Sequence, residues 1–383
     1  MTRTVLVIGT GLAGYGVARE LRKLDKTCRL IIVGRDAADF YSKPMLSNAL
    51  SGNKTPATLV MKSCATMAEE LDADIRARTE VRSLDARART AVLSDGSSAR
   101  WDEAVLALGA DPIRLSLDGD GAADVLSVND LDDFSRFNDR LAGAKRAVLL
   151  GGGLIGCEFA NDLLARGIRP TVVDIADRPL GRLLPPEAAA FFRQRMEAAG
   201  VVFRLEAAVE GVHKADGGYR VRMTDGSMLD ADVVLSAVGL RPRTGLAQDA
   251  GCEVARGVVT DRFLATSVPH VHAVGDCAEV AGLNLPFVMP IMHQTRALAA
   301  TLAGTPTAVD YPAMPVMVKT PACPTVVCPP AAGAVGVWRT EEDGEGVSAL
   351  FENTAGRLLG FALLGKATAR RQELAALAPK PFA

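Results

Sequence analysis

The chain has 383 residues, 49% of them hydrophobic and 23% charged, with a formal net charge of −2 at pH 7. Such a length calls for two or three domains, the composition is that of an ordinary globular protein, and the near-neutral balance favours neither nucleic acid nor an anionic membrane as a partner. No apolar run is long enough for membrane insertion, and seven scattered cysteines make no secreted disulfide framework. Residues 5–8 run into a glycine motif rather than to a cleavage site, so a cytoplasmic location is expected.

The first element reads Val5-Leu6-Val7-Ile8-Gly9-Thr10-Gly11-Leu12-Ala13-Gly14. It is an apolar strand followed by G-x-G-x-x-G and a helix. In such a motif the first glycine makes the tight turn, the second admits a pyrophosphate to the backbone, and the third lets helix pack on strand. The helix N-terminus adds free N–H groups and a positive dipole end. The chain continues through a strand at 30–33 and strand-like segments around Val81 and 91–93. It then passes a turn at Asp95-Gly96 and ends this unit at Leu108-Gly109-Ala110-Asp111-Pro112. A second copy starts at Val148-Leu149-Leu150-Gly151-Gly152-Gly153-Leu154-Ile155-Gly156. It repeats the pattern through 171–173, 201–203, 219–223 and Asp225-Gly226 to Val238-Gly239-Leu240-Arg241-Pro242. One glycine motif is a weak signal; two at matching places in a repeat imply two dinucleotides bound at once and electrons passed between them. The strands are continuously apolar, as in parallel sheets covered on both faces. A third segment leads from Asp261 through 270–276 to a helix at about 290–302, and residues 309–383 form a proline-broken stretch ending in a short helix.

An acid about 20 residues beyond each glycine motif is expected to hold a ribose. Asp36, 22 residues after Gly14, is the first, with Arg35 beside it either on the adenine or in solvent. Asp174, 18 residues after Gly156, is the second; it would accept from a ribose 2′-OH and repel a 2′-phosphate, favouring NADH over NADPH. Arg178 counts against strict discrimination, since an arginine there can take the phosphate. Glu158 is placed in the first turn of the second motif's helix, either supporting the helix through its dipole or lying near nicotinamide and flavin. His213, His270, His272 and His293 show no metal-ligand spacing, His270 and His272 are read as facing opposite sides of a strand, and no metal is expected.

With Tyr41-Ser42-Lys43-Pro44-Met45-Leu46-Ser47, Gly156-Cys157-Glu158-Phe159-Ala160-Asn161-Asp162-Leu163, residues 236–244, Val274-Gly275-Asp276-Cys277-Ala278-Glu279 and Val318-Lys319-Thr320-Pro321-Ala322-Cys323-Pro324, the chain resembles the FAD-dependent pyridine nucleotide-disulfide oxidoreductases over nearly its whole length. Within them it is similar to the NADH–rubredoxin reductases of bacterial alkane-hydroxylating systems. The resemblance implies an FAD set of Gly9, Thr10, Gly11, Leu12, Ala13, Gly14, Arg35, Asp36, Lys43, Val81, Glu158, Gly275, Asp276, Val288 and Lys319. Asp276 would meet the ribityl chain, and Lys43 and Lys319 would lie close to the isoalloxazine. The NADH set is Gly151, Gly153, Leu154, Ile155, Gly156, Asp174 and Gly239. No acid or base is required for hydride transfer, so the candidates nearest the chemistry are Lys43, Glu158 and Lys319.

The region where relatives carry C-x-x-x-x-C reads Phe40-Tyr41-Ser42-Lys43-Pro44-Met45, without cysteine, so electrons must leave the flavin directly. Cys323 and Cys328 have that spacing but read as small buried apolar groups. The resemblance implies rubredoxin as a transient partner, steered by a basic surface for which Lys43, Lys54 and Lys319 are candidates. It leaves the oligomeric state open, monomer preferred. The expected fold is α/β, with two Rossmann-like nucleotide-binding domains and a small α+β C-terminal domain. FAD would take residues 1–112 and 241–307, NADH residues 113–240, and the C-terminal domain residues 308–383. The alternatives are an NADH–ferredoxin reductase of an oxygenase system and a non-catalytic FAD-binding sensor.

Overall fold

The structure is a computed structural model describing residues 2–382. It divides into two compact units, one of Met1–Lys43, Thr58–Asp111 and Leu240–Tyr311, the other of Pro44–Ala57, Pro112–Gly239 and Pro312–Ala383. The chain passes between the units at 111/112, 239/240 and 311/312, and residues 312–383 cluster with 112–239. Residues 44–57, however, cluster with the second unit, although the chain on either side of them belongs to the first.

The first unit is built on a five-stranded parallel sheet. Its order is Val271–Ala273, Glu103–Leu106, Thr4–Ile8, Arg29–Val33, Ala73–Arg76. Thr4–Ile8 is central, so Val5, Leu6 and Val7 are fully buried on both faces, which is why this stretch is apolar without alternation. Helices Leu12–Leu24 and Val288–Leu302 pack against each other across Gly16, where a Cβ would come within 2.8 Å of Thr295 Cγ2. The Asp95-Gly96 turn joins Thr90–Leu93 and Ser98–Arg100 in a three-stranded antiparallel meander with Val81–Asp85.

The second unit repeats the design. Its parallel sheet runs Val202–Arg204, Arg169–Val173, Arg146–Leu150, Val233–Ser236. A meander of Val209–Ala215, Gly218–Met223 and Met228–Ala231 closes over it. Val148, Val173, Val212, Val221 and Met223 form the core between the two sheets. The C-terminal part is a five-stranded antiparallel sheet, ordered Val316–Val318, Thr325–Cys328, Leu358–Gly365, Gly346–Glu352, Val337–Glu342. Helix Arg371–Leu377 covers it, with Leu374 packed against Val326, Phe361 and Leu363. Among the described residues no helix is long and apolar enough to cross a membrane.

Candidate functional site: two glycine cradles and a buried glutamate

In the first unit the three glycines of the first motif do three separate things. Gly9 sits at φ 125°, and a Cβ on it would come within 2.2 Å of the Ala107 carbonyl oxygen. At Gly14 a Cβ would lie 1.9 Å from the Gly9 carbonyl oxygen, so that residue sets how closely helix approaches strand. Gly11 is different: a Cβ there meets nothing within 4 Å. It caps helix Leu12–Leu24 without any side-chain hydrogen bond, and the helix has no acid in its first turn. The open space and unneutralised N–H groups together make a cradle that could hold a pyrophosphate. Leu12 and Ala13 form the first turn above it.

Around this cradle, Asp36 Oδ1 accepts from Thr10 Oγ1 at 2.7 Å and from Ala38 N at 2.9 Å. The Tyr15 hydroxyl donates to the Ala38 carbonyl. Arg35 is turned to Asp111, at 3.5 Å. Gly275, at φ 81°, packs on Ala13, where a Cβ would come within 2.7 Å of the Ala13 Cβ. Its N–H donates to Gln294 Oε1 at 2.7 Å, and Gln294 Nε2 donates to the Tyr311 hydroxyl at 2.7 Å. Gln294 and Tyr311 escaped the sequence reading; a glutamine on the buried side of an apolar helix was the one signal available. Burial raises the Asp276 carboxyl above its ordinary range, opposed by the charges of Lys43 and Arg243. Val81 opens its strand, half-buried, and Val288 opens its helix, exposed.

In the second unit, a Cβ at Gly156 would lie 1.9 Å from the Gly151 carbonyl oxygen. At Gly153 it would again meet nothing within 4 Å, and the helix it caps, Leu154–Leu164, has no acid in its first turn. Ile155 on that turn is exposed. Asp174 follows strand Arg169–Val173 directly; one oxygen accepts from Gly152 N and the other from Ala176 N at 2.8 Å. Gly239, at φ 121°, accepts from Ile113 N at 3.0 Å through its carbonyl.

Glu158 is not in the first turn. The helix starts at Leu154, so Glu158 is its fifth residue, beyond reach of the terminal dipole, and it is fully buried. A buried carboxylate has to be paired. Ser47 Oγ donates to it at 2.5 Å, Lys319 N at 2.8 Å, and Lys319 Nζ makes an ion pair with it. The charge of Lys319 is therefore engaged within the protein rather than offered to a partner, which removes it from the candidate steering surface. The same helix carries two further polar residues that the sequence reading passed over. Asn161 Oδ1 accepts from Ala322 N at 3.0 Å, and Asp162 accepts from Leu50 N and Ser51 N at 2.9 and 2.8 Å. These bonds explain why residues 44–57 belong to this unit.

A second correction concerns the histidines. Positions i and i+2 of a strand would share a face, but His270 precedes strand Val271–Ala273 at φ 66°; His270 Nδ1 and His272 Nε2 both reach Glu103, at 2.9 and 3.1 Å. All seven cysteines are free thiols. Burial pushes those of Cys323 and Cys328 up to about 11, away from thiolate reactivity.

The model of the pyridine nucleotide-disulphide oxidoreductase family matches residues 3–304, and that of the rubredoxin binding C-terminal domain matches residues 308–378. The chain is 45% identical over 371 residues to Rubredoxin-NAD(+) reductase of Alcanivorax borkumensis, covering 97% of each chain. It is likewise 45% identical over 377 residues to the Rubredoxin-NAD(+) reductase of Acinetobacter baylyi, covering 97% of this chain and 96% of that one. Among solved structures it matches a ferredoxin reductase from Rhodopseudomonas palustris with a TM-score of 0.89 at 26% identity, over 100% of this chain and 96% of that one. The chain belongs to the pyridine nucleotide-disulphide oxidoreductase family. Within that family, it is one of the members that carry a rubredoxin binding C-terminal domain.

Proposed function

We propose that this protein is an FAD-dependent enzyme that oxidises NADH and reduces rubredoxin. The observation that carries this reading is the coexistence, in one chain, of two open glycine cradles at Gly11 and Gly153 with the C-terminal sheet domain that matches the rubredoxin binding model. When bound, FAD supplies the conversion between a two-electron hydride donor and a one-electron iron protein.

The chain's own residues bind and orient. The backbone at Gly11, Leu12 and Ala13 would take the FAD pyrophosphate, and Asp36, fixed by the Thr10 hydroxyl, would take the ribose. Asp276 would hydrogen-bond the ribityl chain, on a turn braced by the Gln294 bond to Gly275 N. Arg35, Lys43, Val81 and Val288 complete the FAD set in the first unit. Glu158 and Lys319, which pair with each other, are further FAD candidates that the resemblance implies. Gly153, Leu154, Ile155 and Gly156 would take the NADH pyrophosphate and Asp174 its adenosine ribose, with Gly151 and Gly239 shaping the loop. The buried thiols of Cys323 and Cys328, pushed up to about 11, would be poor relays, and the flavin would pass its electrons to the acceptor directly. A cytoplasmic place, the default from the sequence, and delivery of the electrons to alkane hydroxylation, which rests on the resemblance, are part of this proposal.

The test is anaerobic. NADH is titrated into the yellow protein while flavin absorbance is followed, and oxidised rubredoxin is then added in excess. Bleaching by NADH followed by catalytic loss of rubredoxin colour is the expected result. A flavin that NADH leaves oxidised would overturn the enzyme reading in favour of a sensor. A bleached flavin facing rubredoxin that keeps its colour would overturn the acceptor, and ferredoxin would be tried in its place.

A further inference from the structure

Both backbone polar groups of Gly152, in the second cradle, are captured by the loop that follows strand Arg169–Val173. Gly152 N donates to Asp174, and the Gly152 carbonyl accepts from Leu180 N at 2.9 Å. Residues 174–180 therefore form a loop pinned at both ends on Gly152, beside the open backbone of Gly153. Arg178 lies inside that loop. Its stem packs on Gly181, where a Cβ would be 3.4 Å from Arg178 Cγ, and its Nε is buried without a hydrogen-bond partner. Its outer nitrogen is bound to both oxygens of the neighbouring Asp177, at 3.0 and 2.8 Å. Asp177 is itself 61% exposed at its side chain.

We propose that Asp177 sets the preference for NADH by holding the Arg178 guanidinium away from the position of a ribose 2′-phosphate. This proposal rests on the second cradle's being the NADH site. Two carboxylates then act on the same discrimination by different routes. Asp174 repels a 2′-phosphate directly. Asp177 is a positioning residue: it neutralises the one arginine that the pinned loop encloses. Arginine is the side chain best matched to a phosphate, through its planar, forked donors. An exposed ion pair is a weak restraint, so the latent phosphate site lies one substitution from release.

The experiment uses the FAD-loaded full chain and two probes, adenosine 5′-monophosphate and adenosine 2′,5′-bisphosphate, with affinities measured by calorimetry. The readout is the ratio of bisphosphate to monophosphate affinity, which a loss of folding or of flavin does not mimic. Asp177→Asn is expected to raise that ratio about fivefold, the ceiling for releasing one exposed ion pair. In Asp177→Asn/Arg178→Gln the ratio returns to that of the unaltered protein. A ratio unmoved by Asp177→Asn overturns the proposal. So does a rise that persists without Arg178, since it would then come from the lost negative charge or from Arg182 or Arg204. If the monophosphate does not bind the unaltered protein, the NADH-site reading itself fails, and this proposal with it.

Discussion

The two glycine cradles use the same backbone and opposite side chains. Gly9 and Gly151 each donate to the last residue of the neighbouring strand, Val33 and Val173, at 2.8 Å. The next residues along, Gly34 and Asp174, then donate to Arg76 and Arg204 at 3.0 Å. In the first cradle the glycine loop carries a side chain, Thr10, and the strand end carries none: a Cβ at Gly34 would lie 2.5 Å from Thr10 Cγ2. In the second the loop carries none, Gly152, and the strand end carries Asp174, with a Cβ at Gly152 only 3.2 Å from Asp174 Oδ2. One space is filled from the loop side in one copy and from the strand side in the other. In the first copy the acid has moved two residues on, to Asp36, and is reached by the Thr10 hydroxyl. The lesson is that the carboxylate at each cradle, proposed to take a ribose, is placed by what the glycine loop leaves vacant, not by a fixed count from the last glycine.

The sharpest way to break the comparison is to load each kind of glycine. Gly14→Val puts a Cβ 1.9 Å from a backbone oxygen that cannot move without dragging the strand with it. A loss above about 4 kcal/mol is expected, read as insoluble or protease-sensitive protein. Gly11→Val adds its side chain to open space. It should give soluble protein with an unaltered circular dichroism spectrum and no bound flavin. Gly153→Val is the counterpart, yellow but no longer bleached by NADH. If Gly11→Val retained its flavin, the first cradle would be misassigned.

Next in size is the carboxylate. Asp174→Ala removes a charged acceptor and is expected to lower kcat/KM for NADH by roughly 10- to 100-fold. NADPH should lose less, so the gap between the two narrows while flavin content stays the same. An unchanged preference would mean that Asp174 only braces Gly152.

A smaller effect tests the exchange of side chains itself. Gly34→Ala overpacks Thr10 and is expected to cost about 1–3 kcal/mol. Thr10→Gly on its own loses the bond to Asp36. If the two residues share one space, the double substitution is less destabilised than the sum of the singles, a coupling that a double-mutant cycle with urea unfolding detects. Additive costs would show that Thr10 and Gly34 do not compete.

Much of this was legible in the sequence. The motifs, the repeat and its matching endings at 108–112 and 238–242 carry the two sheets, because buried parallel strands declare themselves by unbroken apolar runs. Asp174 was legible because it abuts its strand. Other features depend on pairings that no local pattern encodes. Thr10 and Gly34 are distant in sequence, and neither is unusual alone. Glu158 reads as a helix-end acid until the helix start at Leu154 is fixed, and its partners Ser47 and Lys319 lie more than a hundred residues away on either side. Asp162 stands in the 156–163 motif with no role of its own legible there, yet it accepts from the backbone of residues 50 and 51. Strands Gly346–Glu352 and Leu358–Gly365 are longer than the short, proline-broken strands expected there, because the prolines of 308–330 set the expectation for the whole C-terminal segment.

The smallest effect concerns Asp276, whose counterpart the second cradle lacks. Burial raises its carboxyl above the ordinary 3.8, against the pull of Lys43 and Arg243. A carboxyl whose folded-state value is raised holds its proton more tightly folded than unfolded, so its ionised form costs stability. That cost is present in full above the folded value and disappears as pH falls below the unfolded value near 4. In flavin-free protein, Asp276→Asn should therefore melt slightly higher than the unaltered chain at pH 7, with the difference closing as pH is lowered towards 4. With FAD bound the order at pH 7 should reverse, because the amide is a weaker acceptor for the ribityl hydroxyls than the carboxylate. A variant that melts lower at pH 7 with and without flavin would place Asp276 among the groups that hold the fold, rather than among those the fold strains to keep for its cofactor.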